Sequence, residues 1–355
     1  MIDLYVLIAV LIFGILIMTH ELGHFLTAKL FGVRVNEFSV CMGPAIFQKK
    51  IGETNYALRC IPIGGYCAME GEDEKSDDPR AFTSAKPWKR AVILVAGAAM
   101  NFLTGLLILL VMFASVRAVT TNQISGFMPG CDLQADDGLQ IGDEIWAIDG
   151  HRVYQYSDVA MLLARNSTES YDLVIKREGS KLSLNDFTMK KQAYEEAGST
   201  VYRYGLQFNV AEITTGLVIR NAWYSALDFG RLVWLGLSDL VSGLVDMDDM
   251  SGPVGIVSVI AETGKTSESG EAAALNISYL AAFIAVNLAV MNLLPIPALD
   301  GGRVFFLIVT AFVEKLLRKK IDPKYEGYIH AVGMILLLVF IAFITLKDIW
   351  KLIGS

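Results

Sequence analysis

The chain has 355 residues, of which 54% are hydrophobic and 19% charged, with a mean hydropathy of +0.47. Soluble proteins carry about 25% charged residues, so the composition is that of a mixed membrane protein, and the formal net charge of -7 argues against nucleic acid as a partner. The length exceeds that of a bare four-helix bundle and leaves room for one soluble domain of ordinary size. Cys41, Cys60, Cys67 and Cys131 offer no disulfide framework and no C-x-x-C spacing, and all four read as structural. The start Met1-Ile2-Asp3 lacks a basic region and a cleavage site, so the first apolar run reads as a retained helix.

That run extends from Leu4 to about Phe31, and its first part, Leu4 to Met18, carries no charge. It is long enough to span a hydrocarbon core of ~30 Å. Inside it stands His20-Glu21-Leu22-Gly23-His24. Two histidines four apart lie on one helix face, about 6 Å from each other, where both can bind one Zn²⁺. Glu21 falls beside them, where a carboxylate can take a proton from an activated water. Burying one unpaired charge mid-membrane costs at least ~2.5–3.5 kcal/mol. Histidines that merely pair with backbone carbonyls are the plainer explanation, but the whole chain has four histidines and two of them fall here.

Residues 32–90 form a polar connection with ten Lys/Arg between Lys29 and Arg90. Val33 to Val40 and Thr54 to Tyr66 alternate like strands, with a turn near Lys50 to Glu53, which predicts a hairpin. Its open edge could hold an extended substrate by adding a strand, or the hairpin could simply pack; the residues alone leave both open. Glu70 to Glu74 and Ser76 to Pro79 read as a solvated loop. A second span follows, from Ala91 to Val116 within 91–117.

Over 118–212 the composition turns soluble and β-rich. Between Gly142-Asp143 and the Asp149-Gly150 turn, Ile145 and Ile148 mark a strand. Over 213–275, Thr215 to Val245 is apolar but interrupted by Arg220, Asp228, Arg231 and Asp239, which predicts a helix pair on the membrane surface and not a fifth span. Ser251-Gly252-Pro253-Val254-Gly255 reads as a turn and Glu262 to Glu271 as a polar loop.

The third span, Ile277 to about Leu294 within 276–302, ends in Asn292-Leu293-Leu294-Pro295-Ile296-Pro297-Ala298-Leu299-Asp300-Gly301-Gly302. Two prolines break the helix, a break tolerated at membrane depth only where it is buried in protein or lines a wet cavity. Residues 303–327 read as a loop, with six Lys/Arg from Arg303 to Lys324, and the fourth span runs from Tyr328 to Ile344 within 328–350. By the positive-inside rule both basic connections are cytoplasmic, and the termini and the β-rich stretch lie outside. His20 then sits roughly 24 Å along the first helix at 1.5 Å per residue, toward the cytoplasmic side. Asp300 arrives at about the same depth and supplies a third ligand, leaving one position open as in catalytic zinc sites; its alternative role is to cap a turn before Gly301-Gly302. His151 and His330 fall outside this constellation and read as structural or exposed.

These motifs resemble the site-2 protease family, bacterial regulated intramembrane zinc metalloproteases of the RseP/RasP type. The resemblance runs over nearly the whole chain: HELGH, Gly52-Glu53-Thr54 through Tyr66, Gly97-Ala98-Ala99-Met100-Asn101, Gly138 to Gly150, Ser251 to Gly255, and Asn292 to Gly302. The family often has Gly-Pro where this chain has Gly97-Ala98.

The resemblance implies a polytopic α-helical membrane protein with four transmembrane helices, a membrane-associated β-hairpin region and one extracytoplasmic β-rich PDZ domain, in the bacterial cytoplasmic membrane. It implies His20, His24 and Asp300 as Zn²⁺ ligands and Glu21 as catalytic acid/base. Asn292 and Asn287 would hold the substrate backbone, with Tyr66 in a substrate-clamping hairpin, and Tyr204-Gly205-Leu206-Gln207-Phe208 resembles the PDZ peptide-binding strand. The implied activity is cleavage of single-span membrane proteins, such as anti-sigma factors or remnant signal peptides, with the bilayer as the other partner. Two further readings stand beside it: a membrane-embedded zinc protease for soluble or peripheral peptides, and a non-catalytic PDZ adaptor in which zinc is a structural staple.

Overall fold

The structure, a computed structural model, describes residues 3–72, 76–165, 168–196, 199–243, 250–317 and 324–354. Asp73 and Glu74 of the expected acidic loop, Val245 at the end of the expected helix pair, and Arg318, Lys319 and Lys320 of the expected basic connection lie outside the described residues. In chain order the elements begin α1 (Leu4–Leu30), β1 (Val35–Ile51), β2 (Thr54–Met69), α2 (Pro87–Ser115), β3 (Ala118–Phe127), β4 (Glu144–Ile148), β5 (His151–Arg152), α3 (Tyr156–Arg165) and β6 (Ser170–Arg177). They continue with β7 (Ser180–Thr188), β8 (Gln192–Glu196), β9 (Ser199–Arg203), β10 (Leu206–Glu212), α4 (Thr215–Val241), α5 (Pro253–Thr266), α6 (Gly270–Asn292), α7 (Asp300–Leu317) and α8 (Lys324–Gly354). Two compact units result: one holds the residues up to Met112 and those from Phe229 onward, the other is Phe113–Asp228.

In the first unit α1, α2, α6 and the Gly327–Lys351 part of α8 are long and apolar enough to cross a membrane. The four expected spans are therefore present as helices: α1 matches its apolar run to within a residue, and α2, α6 and α8 start before theirs. Caps explain two of the starts: Asp3 accepts from the Tyr5 N–H before α1, and Ser269 accepts from the Ala272 N–H before α6. Ala9, Leu16, Ile260, Ile277, Ile284 and Ala285 join α1, α5 and α6 in one buried cluster. A second cluster, including Ala28, Val35, Cys67, Phe82, Ile93 and Leu94, seats the hairpin between the end of α1 and the start of α2.

The expected hairpin is β1 with β2, antiparallel around Gly52-Glu53, with Ile51 opposite Thr54. It is more folded than a plain hairpin. Residues 37–40 have partners at 55–58 and again at 65–68, so the chain doubles back and the 65–69 segment comes to lie outside. Cys41, Gly43 and Gly64 take positive φ values where the chain reverses.

Four sequence expectations change. The stretch Glu262 to Glu271 is not a loop: α5 runs on through Thr266 and α6 begins at Gly270, so only 267–269 connect them, because a run of polar residues on an exposed helix face does not end the helix. The stretch 303–327 is not a loop at its start: α7 is helical from Asp300 to Leu317, because Val304, Leu307, Ile308 and Phe312 recur at helical spacing. The expected helix pair is a single helix through Val241; Arg220, Asp228, Arg231 and Asp239 fall within one arc of it, so the charges interrupt the run without breaking the helix. The Ser251 to Gly255 turn opens α5, with Gly252 as N-cap and Pro253 in the first turn. Asp348 of α8 accepts from the Gly252 and Gly255 N–H groups at 2.9 and 2.8 Å, placing a carboxylate at that helix N-terminus.

The second unit is β-rich, with strand order β10-β3-β4-β6-β7 and β5 beside β4. In β6, Tyr171, Leu173 and Ile175 alternate inward and meet Ile124, Ile145, Val159 and Leu162 in the core. Asp149 and Gly150 both have positive φ, as a two-residue hairpin turn between β4 and β5 requires.

Candidate metal centre

His20, Glu21 and His24 occupy consecutive turns of α1, and Asp300 is the first residue of α7. The Nε2 atoms of His20 and His24 lie 3.2 Å apart, and Asp300 Oδ2 lies 3.1 Å from the first and 3.3 Å from the second. Three glycines permit this. Gly23, inside HELGH, has no room for a Cβ against the backbone carbonyl of Ala96, so α1 and α2 touch main chain to main chain. A Cβ on Gly97 would overlap both imidazoles. Gly301 packs on the Leu293 backbone, folding the Pro295–Pro297 loop over the first turn of α7 and carrying Asp300 to α1.

The donor set fits a divalent ion. Ligands at 2.0–2.1 Å on a tetrahedron are separated by about 3.3–3.4 Å along each edge, close to the three observed spacings. Asp300 Oδ2 is buried and, among the described residues, accepts no hydrogen bond. A buried carboxylate oxygen left without a donor is costly unless a cation takes that place. His24 is oriented from behind: its Nδ1 lies 2.8 Å from the Ile93 carbonyl, which can only accept, so Nδ1 carries the proton and Nε2 keeps its lone pair.

Glu21 is within electrostatic reach of His20, His24 and Asp300 and lies near the Cys67 backbone. Gly65 lies beside the Glu21 side chain, so the outer 65–69 segment of the hairpin runs along this carboxylate. Asn292 closes α6 with its Nδ2 3.5 Å from His20 Nδ1. Asn287, five residues earlier on α6, is half-buried and makes no hydrogen bond to the cluster among the described residues. Tyr66 is engaged within the hairpin, its hydroxyl donating to Glu37 at 2.7 Å and its ring under the Arg59 guanidinium.

Two groups near the site are named by the sequence without a role there: Asn101, which closes the Gly97 to Asn101 motif, and His330, which reads as structural or exposed. Asn101 on α2 is 1% exposed with its Nδ2 3.4 Å from His20 Nδ1; an amide fully enclosed in an apolar helix is a signal available from sequence. His330 on α8 is neither exposed nor remote: its Nδ1 accepts from the Ala298 N–H at 3.2 Å, two residues before Asp300, where Ala298 takes a positive φ. His151 is exposed, as expected.

The profile of peptidase family M50 matches residues 8–340. A Clostridium perfringens protein described as a candidate zinc metalloprotease is 34% identical over 348 residues, covering 98% of both chains. The regulator of sigma-W protease RasP of Bacillus subtilis is 28% identical, covering 97% of both chains, and the zinc metalloprotease RasP of Bacillus licheniformis is 28% identical over 97% of this chain and 98% of its own. With a HExxH helix and a distant aspartate converging in the fold, and with similarity running from end to end, this chain belongs to peptidase family M50.

Proposed function

We propose that the protein is a zinc-dependent endopeptidase that cleaves single-span membrane proteins within or at the edge of the bilayer, and that His20, His24 and Asp300 hold the metal. The convergence of those three ligand atoms within 3.3 Å of one another carries this reading. Bound zinc supplies Lewis acidity, which acidifies water and polarises a carbonyl oxygen.

Glu21 is the acid/base: it accepts the proton of the attacking water and delivers it to the leaving amine nitrogen. Its place beside the cluster and beside the 65–69 segment supports this role. That segment would hold an extended substrate by strand addition, exposing a peptide bond that a helix would keep hydrogen-bonded and shielded. Asn292 would orient the substrate backbone next to His20, with Asn287 contacting it further along α6 and Tyr66 keeping the clamp in shape through Glu37 and Arg59. The positive-inside distribution puts the site toward the cytoplasmic face of a bacterial cytoplasmic membrane, with both termini and a single PDZ domain, residues 118–212, outside. RasP of Bacillus subtilis is named for sigma-W regulation, which makes anti-sigma factors the first substrate class to test, ahead of remnant signal peptides.

Glu21→Gln in the reconstituted protein is expected to keep zinc at wild-type stoichiometry and to lose at least ~10²–10⁴-fold in cleavage of a single-span substrate. Undiminished cleavage would sink the proposal, and products mapping only to flanking loops would move it to peripheral peptides.

A further inference from the structure

His20 turns Nε2 toward His24 and Asp300, which leaves its Nδ1 facing α2 and the end of α6. The carboxamide of Asn101 bridges this nitrogen, 3.4 Å away, and Thr19 Oγ1, also 3.4 Å away. Thr19 sits one residue before His20, and its hydroxyl donates to the Leu16 carbonyl at 3.0 Å. A hydroxyl has one proton. With that proton committed to the shorter bond, the Thr19 oxygen can meet Asn101 only as an acceptor.

The arrangement with Asn101 Nδ2 toward His20 and Oδ1 toward Thr19 would leave two oxygens facing each other without a proton; the two ends of a carboxamide are nearly isosteric and exchange by a half-turn, and that half-turn puts the NH₂ on Thr19 and the carbonyl on His20. A carbonyl only accepts, so His20 Nδ1 must carry the N–H, and Nε2 is left with its lone pair. His24 reaches the same state by a different partner, the Ile93 carbonyl. Both imidazoles are then in the one tautomer that lets Nε2 ligate. The Asn292 carboxamide, 3.5 Å from the same His20 nitrogen, meets an N–H favourably only through its carbonyl, by the same half-turn, which leaves its NH₂ available for a substrate carbonyl.

We propose that Thr19 and Asn101 are a positioning pair that fixes the His20 tautomer, and with it the direction of the Nε2 lone pair, for metal binding. The inference rests on His20, His24 and Asp300 being the zinc ligands. It is tested on the purified full-length protein by competition for zinc against a chelator, with thermal unfolding of the metal-free protein measured in parallel. Hydrogen-bond partners of ligating histidines are worth roughly 10–100-fold in metal affinity. Asn101→Leu, near-isosteric but without an acceptor, is expected to lose about that much while leaving the metal-free melting temperature in place. Asn101→Asp, which restores an acceptor, is expected to recover most of the loss. Thr19→Val should lose less than Asn101→Leu and add nothing in the double variant, and it carries the test if Asn101→Leu does not fold. Wild-type protein that binds no zinc overturns the ligand assignment and this inference together. Wild-type protein that binds zinc, with Asn101→Leu or Thr19→Val binding it equally well, overturns the positioning pair alone.

Discussion

Both units bury carboxylates, and they treat them in opposite ways. In Phe113–Asp228 the Asp143 side chain is 1% exposed, yet it accepts from the Gln140 N–H at 2.8 Å and from two nitrogens of Arg177 at 2.8 and 2.9 Å. In the other unit Asp300 Oδ2 is buried with no hydrogen-bond donor among the described residues and faces two imidazole nitrogens instead. A satisfied buried charge holds a fold in one geometry. An unsatisfied one costs stability, and its retention points to a ligand that is not a protein group. On the proposed reading the same residue type is structural in one region and a metal ligand in the other, and the difference is in its partners.

The largest expected effect tests the functional half of this contrast. Asp300→Ala removes one of three donors, so zinc affinity should fall by more than the roughly 10–100-fold assigned to groups that only orient a ligand, and cleavage should fall with it. Because the variant also removes an unpaired buried charge, the metal-free protein should melt no lower than wild type. A metal-free protein markedly destabilised by Asp300→Ala would place the carboxylate in the structural class with Asp143.

Asp143→Ala is the converse experiment, with a smaller effect. It leaves the Gln140 N–H and the Arg177 guanidinium without their buried acceptor. Losing such a partner costs about 1–3 kcal/mol, the lower part applying because Arg177 is partly exposed and can turn to water. Unfolding of the β-rich unit should shift accordingly while zinc affinity stays at the wild-type value. A change in zinc affinity would mean that the two regions are energetically coupled.

Much of the proposed metal site is legible in the amino-acid sequence. His20, Glu21 and His24 announce themselves because charge is rare in an apolar helix, and Asp300 follows from counting depth. What is not legible depends on partners distant in the chain. The Pro253 start of α5 carries a Gly-Pro signal, but nothing in its neighbourhood names Asp348 as the carboxylate that receives its amides. His330 is an isolated histidine along the chain, and only the Pro295–Pro297 loop brings Ala298 to it. Across 303–327 the basic residues suggest a loop because they report topology, while the apolar spacing of Val304 to Phe312 is the helix signal. In the β-rich unit the Asp149-Gly150 turn is legible because only certain residues tolerate its backbone, whereas the pairing of Asp143 with Arg177 is not.

The smallest effect concerns a carboxylate of intermediate kind, Glu37 in the hairpin. Its burial favours the protonated form, but hydrogen bonds from Arg59 and Tyr66, together with the Arg59 charge, outweigh that and hold its carboxyl below the ordinary value. A group whose folded value is lowered contributes stability that is complete above its unfolded pKa and is lost as pH falls through the folded one. For a glutamate that unfolded value is about 4.3, so the hairpin should be intact at neutral pH and loosen only in acid. Amide exchange in 37–40 and 65–68 should speed up as the pH drops below about 4, whereas Glu37→Gln should show the faster exchange already at neutral pH with little further acid dependence. If the pair is as structural as Asp143 with Arg177, zinc affinity at neutral pH will be unchanged in Glu37→Gln. If the hairpin clamps substrate, cleavage will weaken through KM and not kcat, because Glu37 shapes the edge beside Glu21 without touching the reacting atoms.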